Sequence, residues 1–214
     1  MGMVNLQKIT DVYCDLLKEI GNIGAGNAMT ALSKMLQCKV DMRVPVVNLL
    51  DFDEVGSIMG GEEQIMACVL FGVAGDVSGK MMFMIEKNSA KRLIGKIMCG
   101  LGDGDEEFTE MEASALSEVG NIITGAYLNA LATFTNMKIV STPPQMAVDM
   151  AGAILSVPAI EFGMLGDKLL LIQTQFFDEL RIDGYFILIP DVGSYLKIIG
   201  ALGLPTDGFT EEEL

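Results

Sequence analysis

Two stretches of the chain carry the longest helical periodicity, residues 10–37 and 109–135. In the first, Val12, Leu16, Ile20 and Ile23 recur at three- and four-residue steps, the spacing of an apolar helix face. In the second, Leu116, Val119, Ile122 and Ile123 do the same. Thr10 followed by Asp11 is a good helix start, and Thr109 with Glu112 three residues on spells a capping box. Beyond each helix comes a mixed stretch, 46–59 and 145–157, whose pattern predicts a shorter helix. Two strand-like runs follow in each case, 65–74 with 80–85 and 168–177 with 185–189. The short Gly-containing connections, Gly75-Asp76 to Gly79 and Asp183-Gly184, favour antiparallel hairpins. A last helix closes each series, at 89–98 and at 192–201.

The same order of elements thus occurs twice, and the residues repeat with it. Residues 15–23 reappear as 114–122, with Glu19, Gly21 and Asn22 matched by Glu118, Gly120 and Asn121 at a constant offset of 99 (118 minus 19, 121 minus 22). Gly26, Ala31, Leu32 and Pro45 match Gly125, Ala130, Leu131 and Pro144 at the same offset. Later in each half the offset drifts to 105, pairing Gly79 with Gly184 and Gly95 with Gly200, as a short insertion in the second half would produce. A tandem duplication of about a hundred residues explains this agreement. The expected architecture is α+β: two pseudo-symmetric halves share one antiparallel-rich sheet, and two long helices lead the halves. The halves run from about 8 to 100 and from 107 to 204. Only residues 100–105 separate them, so one domain over 1–204 is expected, followed by an acidic, frayed tail at 205–214.

Composition narrows the chemistry. The chain of 214 residues is half hydrophobic, which suffices for a packed core. It has no histidine, so Ser-His and Cys-His nucleophilic pairs and most zinc sites are out of reach. Cys14, Cys38, Cys68 and Cys99 are scattered among apolar neighbours without metal-ligand spacing and read as buried thiols of a reducing compartment. The net charge of −15 repels nucleic acid and anionic lipid. No apolar run approaches a membrane span and no signal peptide opens the chain, so a cytoplasmic location is expected. Gly24-Ala-Gly26-Asn27 lacks the Lys-Ser/Thr that would make it a phosphate loop, and it lies inside a helix pattern.

What remains is a polar stripe. On a helix, Asp15, Glu19 and Asn22 fall within an arc of ~60°, beside the apolar face, and Ser114, Glu118 and Asn121 repeat the arrangement. Exposed glutamates are common and need no explanation. The asparagines do, because Asn is a mediocre helix former and each is set among glycines. Close helix–sheet packing accounts for glycines; it does not account for Asn22 and Asn121.

The pattern Asp/Ser-x3-Glu-x2-Asn-x22-Pro, met at Asp15, Glu19, Asn22, Pro45 and again at Ser114, Glu118, Asn121, Pro144, resembles the signature of the CheC/CheX/FliY phosphatases of bacterial chemotaxis. Two copies in a chain of this length are similar to the CheC type, and the resemblance spans residues 5–204. It implies hydrolysis of the aspartyl phosphate of a CheY-type response regulator. Asn22 and Asn121 would orient the attacking water, while Glu19 and Glu118 would pair with the regulator's active-site lysine. Pro45 and Pro144 would shape the chain. No cofactor or metal is then expected on this chain; the Mg2+ belongs to the regulator. The resemblance also implies the deamidase CheD as a partner, docked after the second proline on residues 145–155, where Asp149 is the single charge. The alternative is a non-catalytic adaptor, built like the flagellar switch protein FliM, that binds phosphorylated regulator without hydrolysing it.

Overall fold

Strands that alternate two kinds of apolar face need cover on both sides. In β3 (Gly79–Glu86), Met81, Phe83 and Ile85 point to one core, while Met82 and Met84 point to another. β2 (Ile65–Gly75), β6 (Lys168–Phe177) and β7 (Arg181–Pro190) divide their side chains in the same way. The computed structural model describes residues 6–36, 41–98, 107–162, 168–177, 181–204 and 206. Within them, α1 (Leu6–Leu36), α3 (Lys87–Ile97), α4 (Glu110–Thr135) and α6 (Val192–Ala201) cover one face of the sheet. α2 (Phe52–Ile58) and α5 (Ala151–Phe162) cover the other, through Val55, Met59, Ala151, Ile154 and Leu155.

The predicted short helices at 46–59 and 145–157 are corrected by the structure. Each begins as an edge strand and turns helical only afterwards: β1 (Asp41–Asp51) precedes α2, and β4 (Ile139–Ser141) with β5 (Gln145–Met150) precedes α5. The prolines do not end these strands; they interrupt their ladders. β1 shifts register between Arg43 and Val46, around Pro45, and residues 142–144 separate β4 from β5 at Pro144. A proline has no N–H to give a ladder, so it sits at an edge or irregularity. In the second half Thr142 spans the gap: its N–H donates to the Gly72 carbonyl at 2.9 Å, and its Oγ1 accepts from the Gly72 N–H at 2.8 Å.

The sheet order is β1-β6-β7-β3-β2-β4, with β5 also on β2, and every pairing is antiparallel. Exchanging each strand for its repeat mate reverses this order, so a pseudo-twofold lies between β3 and β7. Each half gives its edge strand to the other: β1 pairs with β6, and β4 and β5 pair with β2. The α+β fold with duplicated halves sharing an antiparallel sheet is thereby seen directly.

Strand register refines the offset. Val46 faces Gln173 and its mate Gln145 faces Leu70, so β6 follows β2 by 103 residues (173 minus 70). The helix caps Glu86 and Asp191 are 105 apart (191 minus 86). The drift therefore comes in two steps. Gly79 and Gly184 are not equivalent after all, since Gly79 opens β3 at a positive φ of 154° whereas Gly184 lies inside β7, facing Ile85. Asp183-Gly184 accordingly lies within β7, paired to β6, and not at a hairpin turn. Cys38, Cys99, residues 100–105 and nearly all of the tail lie outside the described residues. Cys68 is buried, and burial raises its thiol to about 12; Cys14 is partly exposed.

Candidate functional site

α1 and α4 bury the same positions, 99 residues apart. Leu17 and Leu116, Ile20 and Val119, Gly21 and Gly120, Ala28 and Tyr127, and Leu32 and Leu131 are all buried. For α4 this is the face expected. For α1 it is a correction: Val12 and Ile23 are exposed and Leu16 is partly so, while Tyr13, Leu17, Ala25 and Ala28 take the core. Apolar residues lie on both flanks of α1, and its packing against α4 and α6 decides which flank is covered.

Two glycines set how closely these helices pack. A Cβ on Gly24 would stand 3.0 Å from the Cα of Tyr127 and 2.9 Å from its ring, so α1 meets α4 through a missing side chain. A Cβ on Gly120 would lie 3.1 Å from Val69 of β2, which brings α4 down on the sheet. The closing helices then clamp the site helices across the repeat. α6 of the second half meets α1 through an edge-to-face contact of Tyr195 on Tyr13, with ring centroids 5.4 Å apart. α3 of the first half meets α4 through Lys91, whose Nζ lies 2.8 Å from Glu112 Oε2 and 4.8 Å from the Phe108 ring centroid.

Glu112 has two tasks. It completes the capping box, accepting the Thr109 N–H at 2.8 Å while its own N–H donates to Thr109 Oγ1 at 3.2 Å. It also takes the Lys91 ammonium. Burial pushes its carboxyl up, but the bonds from Lys91 and Thr109 outweigh this and hold it below the ordinary 4.5. Sequence reading found the capping box but not Lys91, whose signal, a lone lysine on a short helix, identifies no partner.

On these clamped helices the polar stripes face away from the core. Asp15, Glu19 and Asn22 are all exposed, and so are Ser114, Glu118 and Asn121. The structure thus brings each predicted set together on one helix face, at i, i+4 and i+7. Pro45 lies instead within the edge strand β1, and Pro144 in the break between β4 and β5, both away from the stripes in sequence. Asp149 is exposed on β5, between the exposed Val148 and Met150, and accepts the Met150 N–H at 2.8 Å. It stands on an edge strand, not on the expected helix. Among the described residues no group of Cys, Asp and Glu side chains is placed to hold a metal ion, and no helix is long and apolar enough to cross a membrane.

The CheC-like family matches this chain twice, over residues 13–49 and 111–147, which are the two site helices with their edge strands. The chain is 35% identical over 201 residues to the CheY-P phosphatase CheC of Bacillus subtilis, covering 91% of this chain and 96% of that protein. Its fold is like that of Thermotoga maritima FliY, with a TM-score of 0.71 at 20% identity, covering 95% and 98% of the two chains. It is also like the FliM middle domain of H. pylori, with a TM-score of 0.65 at 11% identity over 92% and 99%.

Proposed function

The chain belongs to the CheC-like family, and on that footing we propose that it hydrolyses the aspartyl phosphate of a CheY-type response regulator. The observation that carries this reading is the twin stripe: the same Glu/Asn pair stands exposed on two helices, with the core directly behind it. Such a substrate is a labile acyl phosphate whose Mg2+ the regulator itself holds. The chain needs neither nucleophile nor metal of its own. It needs to hold a water in line with phosphorus, where catalysis is mostly positioning. A carboxamide can do so at any pH, since it both donates and accepts hydrogen bonds without titrating.

In this mechanism Asn22 or Asn121 enters the regulator's active site and orients the water. Glu19 or Glu118, one turn earlier, pairs with the regulator's active-site lysine and sets the helix in register. Asp15 and Ser114, a further turn back, line the same contact. Rigid clamping matters because a misplacement of about 1 Å can reduce a positioned reaction on the order of 100-fold. We place this reaction in the cytoplasm. The test is the lifetime of phosphorylated regulator with and without the protein. Asn22→Ala with Asn121→Ala should abolish the acceleration in a protein that circular dichroism shows to be folded. Undiminished acceleration by that variant would overturn the assignment.

The FliM-like fold favours one second reading, an adaptor that binds phosphorylated regulator without hydrolysing it. It requires an unchanged or longer phosphate lifetime in the same assay. We also propose CheD as a partner, docked at β5 and the start of α5, where Asp149 sits between exposed Val148 and Met150. Asp149→Lys should then weaken CheD binding in a calorimetric titration and leave dephosphorylation unchanged. Equal affinity of the variant would reject this placement.

A further inference from the structure

Asp15, Glu19 and Asn22 continue, one turn on, to Gly26; Ser114, Glu118 and Asn121 continue to Gly125. At ~100° per residue Gly26 lies only ~20° from Asp15 around the helix, inside the arc of the stripe. Both glycines are helical, both are partly exposed, and both recur at the offset of 99 (125 minus 26). Neither is explained by the fold. A Cβ on Gly24 would collide with Tyr127 and one on Gly120 would press tightly on Val69, whereas a Cβ on Gly26 or Gly125 would meet nothing within 4 Å. Neither has the positive φ that would call for glycine. Alanine would fit both positions and make a more stable helix.

We propose that Gly26 and Gly125 are clearance positions for the regulator: the bare helix one turn beyond each Asn lets the partner's backbone approach closely enough for the carboxamide to reach the phosphoryl group. This rests on the Glu/Asn reading above and adds to it a determinant that the four-residue signature does not contain. Glycine is the residue of choice where another chain must pass close to a backbone. A methyl group at this point would hold the two surfaces apart by about 1 Å, a displacement that positional catalysis does not tolerate. The helix is then less stable than it could be, in each half, at the turn that follows the exposed Asn.

The experiment is Gly26→Ala with Gly125→Ala, compared with Gly95→Ala, which removes a helical glycine in equally open space on α3. All three substitutions should raise the Tm, by about 2–4 °C each for a chain of this size. The double variant should lose at least tenfold in kcat/KM for phosphorylated regulator, with a parallel rise in Kd for the beryllofluoride-activated form. Gly95→Ala should keep both at wild-type values. Full activity in the double variant with a raised Tm would overturn the proposal while leaving the Glu/Asn reading intact. A lowered Tm would also overturn it, by showing that the fold itself needs these glycines. A wild-type protein that fails to shorten the phosphate lifetime would sink the underlying reading instead.

Discussion

The first helical turn before each polar stripe buries an equivalent position in both halves, Tyr13 on α1 and Glu112 on α4, 99 residues apart, and fills it with opposite chemistry. Tyr13 is held by an aromatic neighbour, Tyr195; Glu112 is held by a cation, Lys91, and by its own capping box. In both cases the partner sits on the closing helix of the other half. The fold therefore demands that the position be buried and braced across the repeat, and it leaves the means open. The stripes obey the reverse rule: Glu and Asn are retained in both copies, although exposure imposes no packing demand on them. Constraint from the core permits substitution by anything that fits. Under the function proposed above, the stripes answer to a reaction instead, and a reaction does not permit such exchange.

The comparison can be broken first at the stripes. Asn22→Ala and Asn121→Ala, tested singly, should divide the dephosphorylation rate between the halves. The Asp15/Ser114 difference makes unequal shares the expected result, with the double variant at least on the order of 100-fold below wild type. Equal single losses that each abolish activity would mean that the two helices act as one site.

The clamps come next. Lys91→Ala leaves the buried Glu112 carboxylate without its cation, and should cost about 3 kcal/mol in urea denaturation. Tyr13→Phe keeps the ring contact and should cost about 1 kcal/mol or less. Comparable losses would show that the two clamps are less different than their chemistry suggests.

The smallest effect, and the sharpest contrast, is in pH. Glu112 is held below the ordinary 4.5 in the folded chain, so its contribution is present above that value and is lost as pH falls through the lowered one. Glu86 and Asp191, which cap α3 and α6, act in the same direction. Tyr13 is raised well above the ordinary 10.0, by burial and then by Tyr195 and Cys14, so its contribution is present below 10.0 and is lost as pH rises beyond it. The second clamp should therefore weaken in acid and the first in alkali. Glu112→Gln should flatten only the acid side of a stability–pH curve and Tyr13→Phe only the alkaline side.

Much of this molecule is legible in one dimension. The duplication, the two long helices, the central strands and the polar stripes all follow from local spacing, because a helix face or a strand face is set by residues close together in the chain. The capping box at Thr109 and Glu112 is local in the same sense. What the sequence could not decide is whatever is settled between distant segments. β1 carries Pro45 between two aspartates, and β5 follows Pro144 and carries Asp149, so both look poor as strands; they become strands because β6 and β2 of the opposite half offer them an unpaired edge. The buried face of α1 rotates away from Val12 and Ile23 because Tyr127 and Tyr195 arrive from the second half. Gly24 and Gly26 are indistinguishable as letters two places apart. Only the packed structure separates them, since one touches Tyr127 and the other faces open space.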